Sequence, residues 1–483
     1  MLIDLKLFDE SELTKIHDYT LKVLQDPGMK ILEQRMLLAL KKKGAEVCLD
    51  SNIVRFPNSI INETIDLLRK DIEEGKSPKY LNGVTCEKTG SSDIQAKFGG
   101  ACVQFYDWEE RHFRVPTESD LISMVKLGEA IPEVKTVGNP VVYLKDRDGN
   151  LIDPKMQRIK TAAVVAKYTT KPGPTEVWTS EELDYLIEIG SIVRGSREKY
   201  MKDPCFITAK ETIAPLILEK KSAEVLLALA EKKLPCIIIP MPISGVSSPV
   251  SLFGNIVIGN SEILGTAAAI KTLYPDTSIV GGVISGSMNM ATGSANFATP
   301  EATLQDFGLA ELHERLYGFN FGMGGYLDAK FPDIQNAIEK EFKYLILTLT
   351  GRRTYPVGLI NWGKCFSPEQ AMVDIEIIKG INRFFKNVKV RDEEKILQLI
   401  RKVGIGGSFL QEKDTLINYK DYITMSELFD HVQAIDKKID KDYMMKKSNS
   451  KIKKLLNSKD LYQIEKDKSD EIDRIVKRAQ EHL

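Results

Sequence analysis

The chain has 483 residues, and its 67 lysines and arginines against 68 aspartates and glutamates leave a net charge of -1. So balanced a charge excludes binding to nucleic acid or to an anionic membrane by charge alone, while the length accommodates one large β/α body with appendages. The six cysteines form no CxxC pair and there are only five histidines, so neither a disulfide framework nor a metal site is expected.

The opening MLIDLKLFDESELTKIHDY mixes acids into its apolar positions, without the apolar core of a signal peptide. No apolar run reaches the roughly 20 residues that span a bilayer. A cytoplasmic protein is expected. Residues 1–90 read as a mainly helical cap. Leu13, Ile16, His17, Thr20, Leu21 and Leu24 recur at helical spacing and stop at Pro27-Gly28. A second helix over Glu33 to Lys43 ends at Gly44, an alternating stretch from Glu46 to Phe56 predicts a hairpin, and a third helix runs from Pro57 to Lys70. His17 lies on the apolar face and reads as a core or interface histidine.

Residues 91–390 repeat a strand, loop, helix, loop unit. Candidate strands begin near Ile94, Val134, Thr175, Phe206, Ile237, Ser278, Asn320 and Tyr355. The runs CIIIP and SIVGGV do not alternate, as expected of parallel strands covered on both faces. Helix starts are explicit at Thr117, at Thr179 with Glu182, at Thr299-Pro300 and at Ser367-Pro368. Eight units favour a closed (β/α)8 TIM barrel over an open doubly wound sheet. Residues 391–483 form a helical extension whose last forty residues interleave charge sign, as a solvated tail or a homodimer contact would.

In such a barrel the site lies at the carboxyl ends of the strands. Those ends carry Phe98 with Gly99 and Gly100, then Tyr106; Asn139 and Asp153; Trp178; Thr208, Lys210 and Glu211; Met241; Ser285 to Asn289; and Asn361, Trp362 and Phe366. The most open end is FNFGMGGYLDAKFPD, where Gly322, Gly324 and Gly325 leave room beside Tyr326, Asp328 and Lys330. Aromatics outnumber titratable groups here, and there is no GxSxG, phosphate loop or metal-ligand spacing. No catalytic residue is expected, and the mouth suits an organic cation held by ring faces. Lys210 offers a rival reading, a Schiff-base lyase or aldolase. Glu262, Asp306 and Glu311 fall within helices and are expected to face solvent or cap neighbouring turns.

Several long segments then carry a resemblance: IHDYTLKVLQDPGMKIL with KKKGAEV, PMPISGVSSPVSLFGNIVIGNSEILG, MNMATGS, GGYLDAKFPDIQNAIE and VGIGGSFLQEKDTL. In order, they resemble the trimethylamine methyltransferase superfamily, within it the members lacking pyrrolysine, typified by the glycine betaine enzyme. The family pattern commonly has a histidine where Asp414 precedes Thr415 here, a departure expected to mark a different substrate or subgroup. The resemblance implies a barrel that passes a methyl group from a quaternary amine to the Co(I) corrinoid (cobalamin) of a small partner protein, with no cofactor tightly bound in this chain. Phe98, Tyr106, Trp178, Tyr326, Trp362 and Phe366 are the cage candidates. Lys210 or Asn139 would meet a substrate carboxylate, Asp153 or Asp328 would add countercharge, and Asn361 lies beside them. A non-catalytic protein that senses a quaternary amine is the remaining alternative.

Overall fold

The structure, a computed structural model, describes residues 5–76, 94–146, 148–318, 321–352, 354–385, 392–423, 425–430, 440, 442–458 and 461–483. The expected boundaries near residues 90 and 390, the thiol of Cys86 and the strand start at Asn320 lie outside them.

Helix Glu10–Gln25 begins at a capping box in which Asp9 and Glu12 exchange bonds, and it buries Leu13, Ile16, Leu21 and Leu24. Helix Gln34–Lys43 stops where Gly44 turns left-handed at φ 103°, a conformation glycine takes without steric cost. The expected hairpin pairs Glu46–Cys48 with Ile53–Arg55 antiparallel, and helix Asn58–Glu73 follows. All three helices pack on Leu252–Leu273. That helix is apolar around nearly its whole circumference, which only burial on every side permits. His17 is an interface residue as read, its Nδ1 3.0 Å from the Tyr317 hydroxyl.

The body is mixed α/β. Its parallel strands are β1 (Gln95–Phe98), β2 (Val134–Val137), β3 (Ala209–Glu211), β4 (Cys236–Ile239), β5 (Ile279–Val283), β6 (Phe321–Met323) and β7 (Thr354–Val357). One parallel run has the order β7-β1-β2 and the other β6-β5-β4-β3. The strand expected near Thr175 does not form. Pro172 and Pro174 lack the N–H a ladder needs, so a single bridge from Val137 to Pro172 and a bond from Thr175 N to the Ile207 carbonyl join the two runs instead. Between β6 and β7 no ladder bond forms among the described residues.

Capping holds at Thr117, Thr299 and Ser367 but not at Thr179, whose side chain makes no cap bond. Glu182 is diverted to the Trp178 N–H and to Arg158. Glu262, Asp306 and Glu311 are buried rather than solvated, and each accepts a backbone N–H from a neighbouring turn, at Leu216, Ser285 and Leu7 respectively. The last helix, Lys466–His482, is no free tail: it buries Ile472, Ile475 and Ala479 against helices Gln157–Tyr168 and Ser180–Arg194. By contrast, helices Glu393–Val403 and Lys413–Tyr422 bury no residue. No helix among the described residues is long and apolar enough to cross a membrane.

Candidate active site

The strand ends converge on a cavity of about 170 Å³; a cavity of about 150 Å³ suffices for benzene, so this one holds a small organic molecule. Most of its wall is aliphatic, from Ile207, Ile237, Ile239, Val283, Ile284 and Leu359. Its polar groups are Lys97, Asn139, Thr175, Glu176, Thr208, Glu211 and Tyr326.

Strand parity explains which of the sequence candidates reach it. Side chains alternate across a strand, so Lys97 and Gly99 face the cavity while Phe98 is fully buried behind them, 5.3 Å edge-to-face from Phe366. Phe98 and Phe366 are therefore core residues, not cage walls. The same parity places Ala209 and Glu211 on the cavity and turns Lys210 away from it. Tyr106 belongs to a separate aromatic cluster with Phe113 and Phe331. Trp178 stands edge-on to Tyr143, and its ring already carries the Arg158 guanidinium at 4.0 Å. Asp153 is exposed and caps the Lys155 N–H. Asp328 spends both carboxylate oxygens on the backbone N–H groups of Phe297 and Ala298.

Trp362 lines a second, polar cavity of about 440 Å³ together with Asp328 and Lys330. Asn361 and Trp362 hold left-handed backbone at φ 52° and 57°, a conformation that costs non-glycine residues energy, and the Asn361 N–H donates to the Ala329 carbonyl. Asp414 lies outside both cavities, beside Lys395 and Asn418. Of the sequence candidates, Asn139 and Tyr326 line the first cavity. Gly322, Gly324 and Gly325, expected to leave room for a ligand, all line this cavity, and two of them are closely packed as well: a Cβ on Gly324 would meet Ile284 at 2.4 Å, and one on Gly325 would meet Pro356 at 2.5 Å.

The polar lining residues that reading strand ends overlooked include the charged Glu176 and Lys97. Lys210 Nζ lies 3.0 Å from Glu176 Oε1. Burial lowers the Lys210 ammonium, but the Glu176 and Glu211 carboxylates outweigh it and hold the group above its ordinary range. Glu211 lines the cavity and keeps much of its surface open. Burial and then the charge of Glu176 push its carboxyl up, with Lys210 partly offsetting them. Burial, Glu211 and Glu176 likewise raise the Tyr326 hydroxyl. One ammonium thus serves two carboxylates, leaving this wall with a surplus negative charge. The signal in the sequence was the acid in PTEVW and the lysine in QAKF, charged residues inside stretches otherwise destined for burial.

Asn139 is fixed by its neighbours, its Nδ2 donating to Thr161 and Thr175 Oγ1 at 3.1 and 2.6 Å. The described cysteines, Cys48, Cys102, Cys205, Cys236 and Cys365, are free thiols.

A mixed α/β chain whose parallel strands end on a small, acid-lined cavity belongs to the class of small-molecule sites built at strand carboxyl ends. A family model described as trimethylamine methyltransferase (MTTB) matches residues 2–483, and the chain belongs to that family. Its class of activity is accordingly methyl transfer. It is similar to trimethylamine methyltransferase MttB1 of Methanosarcina mazei, 28% identical over 86% of this chain and 84% of that one. It is also similar to MttB of Desulfitobacterium hafniense, 25% identical over 84% and 80%, and to the glycine betaine methyltransferase of Desulfitobacterium hafniense strain Y51, 23% identical over 86% and 84%. The solved Methanosarcina barkeri monomethylamine methyltransferase covers 94% of this chain and 90% of that one, at a TM-score of 0.48 and 13% identity, too loose a likeness to place residues.

Proposed function

We propose that this chain takes a methyl group from a quaternary amine, a betaine in particular, and passes it to a corrinoid carried by a small partner protein. The observation that carries the reading is the surplus negative charge of Glu176 and Glu211 over Lys210 at one wall of an apolar cavity. A quaternary ammonium has no N–H to donate, so it is recognised by charge and apolar contact. That wall offers the charge, and Ile207, Ile237 and Ile239 beside it offer the contact. Countercharge therefore replaces the ring cage expected from the sequence, with Tyr326 as the one aromatic lining residue among the described residues. The fold that fits is a (β/α)8 barrel closed around this cavity.

The bound corrinoid supplies a Co(I) nucleophile for the methyl carbon. A cavity this small admits the amine and not the macrocycle, which fits an acceptor that docks over the mouth. The tasks left to this chain are to hold the ammonium, to orient one methyl toward the opening and to exclude water. As the carbon–nitrogen bond breaks, its electron pair stays on nitrogen, so the departing tertiary amine needs no proton and the site needs no general acid. Loss of the substrate's positive charge also weakens its hold on Glu176 and Glu211, which favours release.

The Lys210 imine chemistry finds no support, because that amine is bound to Glu176 and turned away from the cavity. A homodimer is part of the proposal, formed through the exposed face of helix Glu393–Val403. Ile396 and Ile400 form its uncovered stripe, and acids at the start with bases at the end would pair with an antiparallel copy.

The direct test supplies the pure chain with Co(I) cobalamin and a panel of betaines and follows methylcobalamin by its absorbance. Methyl transfer from at least one quaternary amine is expected. None from any, with cobalamin or with a corrinoid protein, would overturn the reading; thermal stabilisation by a betaine without transfer would instead support a binding protein.

A further inference from the structure

Buried ammonium groups are expensive unless an anion accompanies them, and the fully buried lysines among the described residues observe the rule. Lys210 has Glu176 at 3.0 Å, Lys271 has Asp71 at 2.5 Å, Lys343 has Asp306 at 3.6 Å, and Lys340 is paired with Asp374. Lys171, half-buried, donates to the Glu129 and Ile131 carbonyls. Lys97 is partly exposed; it lies among the lining residues of the active-site cavity and has neither an ion pair nor a hydrogen bond among the described residues. It sits mid-strand on β1, clamped between Thr136 of β2 and Pro356 of β7, so its backbone cannot move to bring the amine elsewhere.

We infer that Lys97 is the contact for the substrate's carboxylate, and that the cavity is built for a zwitterion whose ammonium faces Glu176 and Glu211 while its carboxylate faces β1. This rests on the quaternary-amine reading and assigns the residue that meets the acid group of the betaine proposed above. The two poles belong to different parts of the ring. Lys97 is on β1, whereas Glu211 is on β3, with β2 and the Pro172 to Glu176 segment between them. The wall between is small or apolar, Gly99 and Gly100 on one side and Ile207 on the other. Neither pole satisfies the other, since no carboxylate among the described residues lies within ion-pair reach of Lys97. An anion brought by the ligand would give Lys97 the pairing that the buried Lys210, Lys271, Lys340 and Lys343 have from the protein. Burial alone lowers the Lys97 amine to about 8, so at neutral pH most molecules present the cation needed.

The experiment uses the full chain and titration calorimetry. One arm uses glycine betaine, proline betaine and carnitine; the other uses tetramethylammonium and choline, which have the cation but no acid group. In the unaltered chain at least one betaine should bind tenfold or more tightly than tetramethylammonium. Lys97→Met should reduce that betaine's affinity at least tenfold and leave tetramethylammonium within a factor of two. Lys97→Arg, which keeps the charge, should retain part of the preference and guards against loss of folding in the first variant. Equal loss of both ligand classes, or no preference for a betaine in the unaltered chain, would overturn the Lys97 assignment while leaving the quaternary-amine reading intact. Failure of the unaltered chain to bind either class would overturn both. Trapping of a borohydride-reducible adduct on Lys97 by a carbonyl compound, with no preference for betaines, would overturn it in favour of imine chemistry.

Discussion

Lys210 Nζ sits 3.0 Å from Glu176 Oε1, a contact between residues 34 positions apart, and it sets the charge of one wall of the cavity. With Lys210 held by Glu176 and Glu211 left in excess, this wall of the apolar pocket presents carboxylates, opposite the amine of Lys97, where the strand ends alone had suggested rings.

The two carboxylates should therefore respond differently to neutralisation. Glu211→Gln removes the surplus charge without stranding a partner. A unit charge about 8 Å away in an effective dielectric of about 20 is worth ~2 kcal/mol, so affinity for tetramethylammonium should fall roughly 30-fold with folding stability unchanged or improved. Glu176→Gln leaves Lys210 unpaired and should destabilise the chain by about 3–5 kcal/mol. Calorimetric titration beside urea denaturation distinguishes the pair; equal effects of both changes on stability would refute the division.

Binding should have an acid and an alkaline limb. The Glu211 carboxyl is raised by burial and by Glu176, so cation affinity should decline on acidification at a pH above the ordinary carboxylate range. Lys97 titrates near 8, and above that pH the betaine preference should fade while tetramethylammonium binding persists. The same lowered amine has a stability consequence. Between about pH 8 and its ordinary 10.5 the unfolded chain holds more protons than the folded one, so this group makes stability rise with pH across that window. Lys97→Met should abolish that rise, and raise the melting temperature at pH 7; a flat, unchanged profile in the two proteins would contradict the assignment.

Trp178 offers a negative control. Its ring is occupied by Arg158, which is in turn bound to buried Glu182. Trp178→Phe should leave betaine affinity within a factor of two. Glu182→Ala should cost about 3–5 kcal/mol through the stranded guanidinium, as measured by denaturant midpoint. A large affinity loss in Trp178→Phe would restore the aromatic cage.

Helix Glu393–Val403 tests the dimer. An 11-residue helix that buries nothing is marginal in water. The double change Ile396→Asp with Ile400→Asp should convert a dimer to a monomer in light scattering and leave methyl transfer intact; a chain that is monomeric before the change removes the proposed contact.

Local signals were legible wherever neighbouring residues decide the outcome. The caps at Thr117, Thr299 and Ser367 and the glycine stop at Gly44 all follow from spacing, and the structure keeps them. Thr179 departs because Glu182, its would-be partner, is worth more to Arg158 and to the Trp178 N–H in a dry interior. The strand near Thr175 departs because two prolines outweigh an otherwise extended pattern.

Composition, periodicity and the order of its long segments determined that this chain is a mixed α/β methyltransferase-family protein with helices of known face. Only the tertiary structure decided the character of the pocket. A strand's parity is set by which pleat points inward, and a shift of one residue exchanges Phe98 for Lys97 and Lys210 for Glu211. Ion pairing is equally non-local: that Glu176 claims Lys210, and that Lys97 is left for a ligand, depends on distances between strands that no spacing along the chain records.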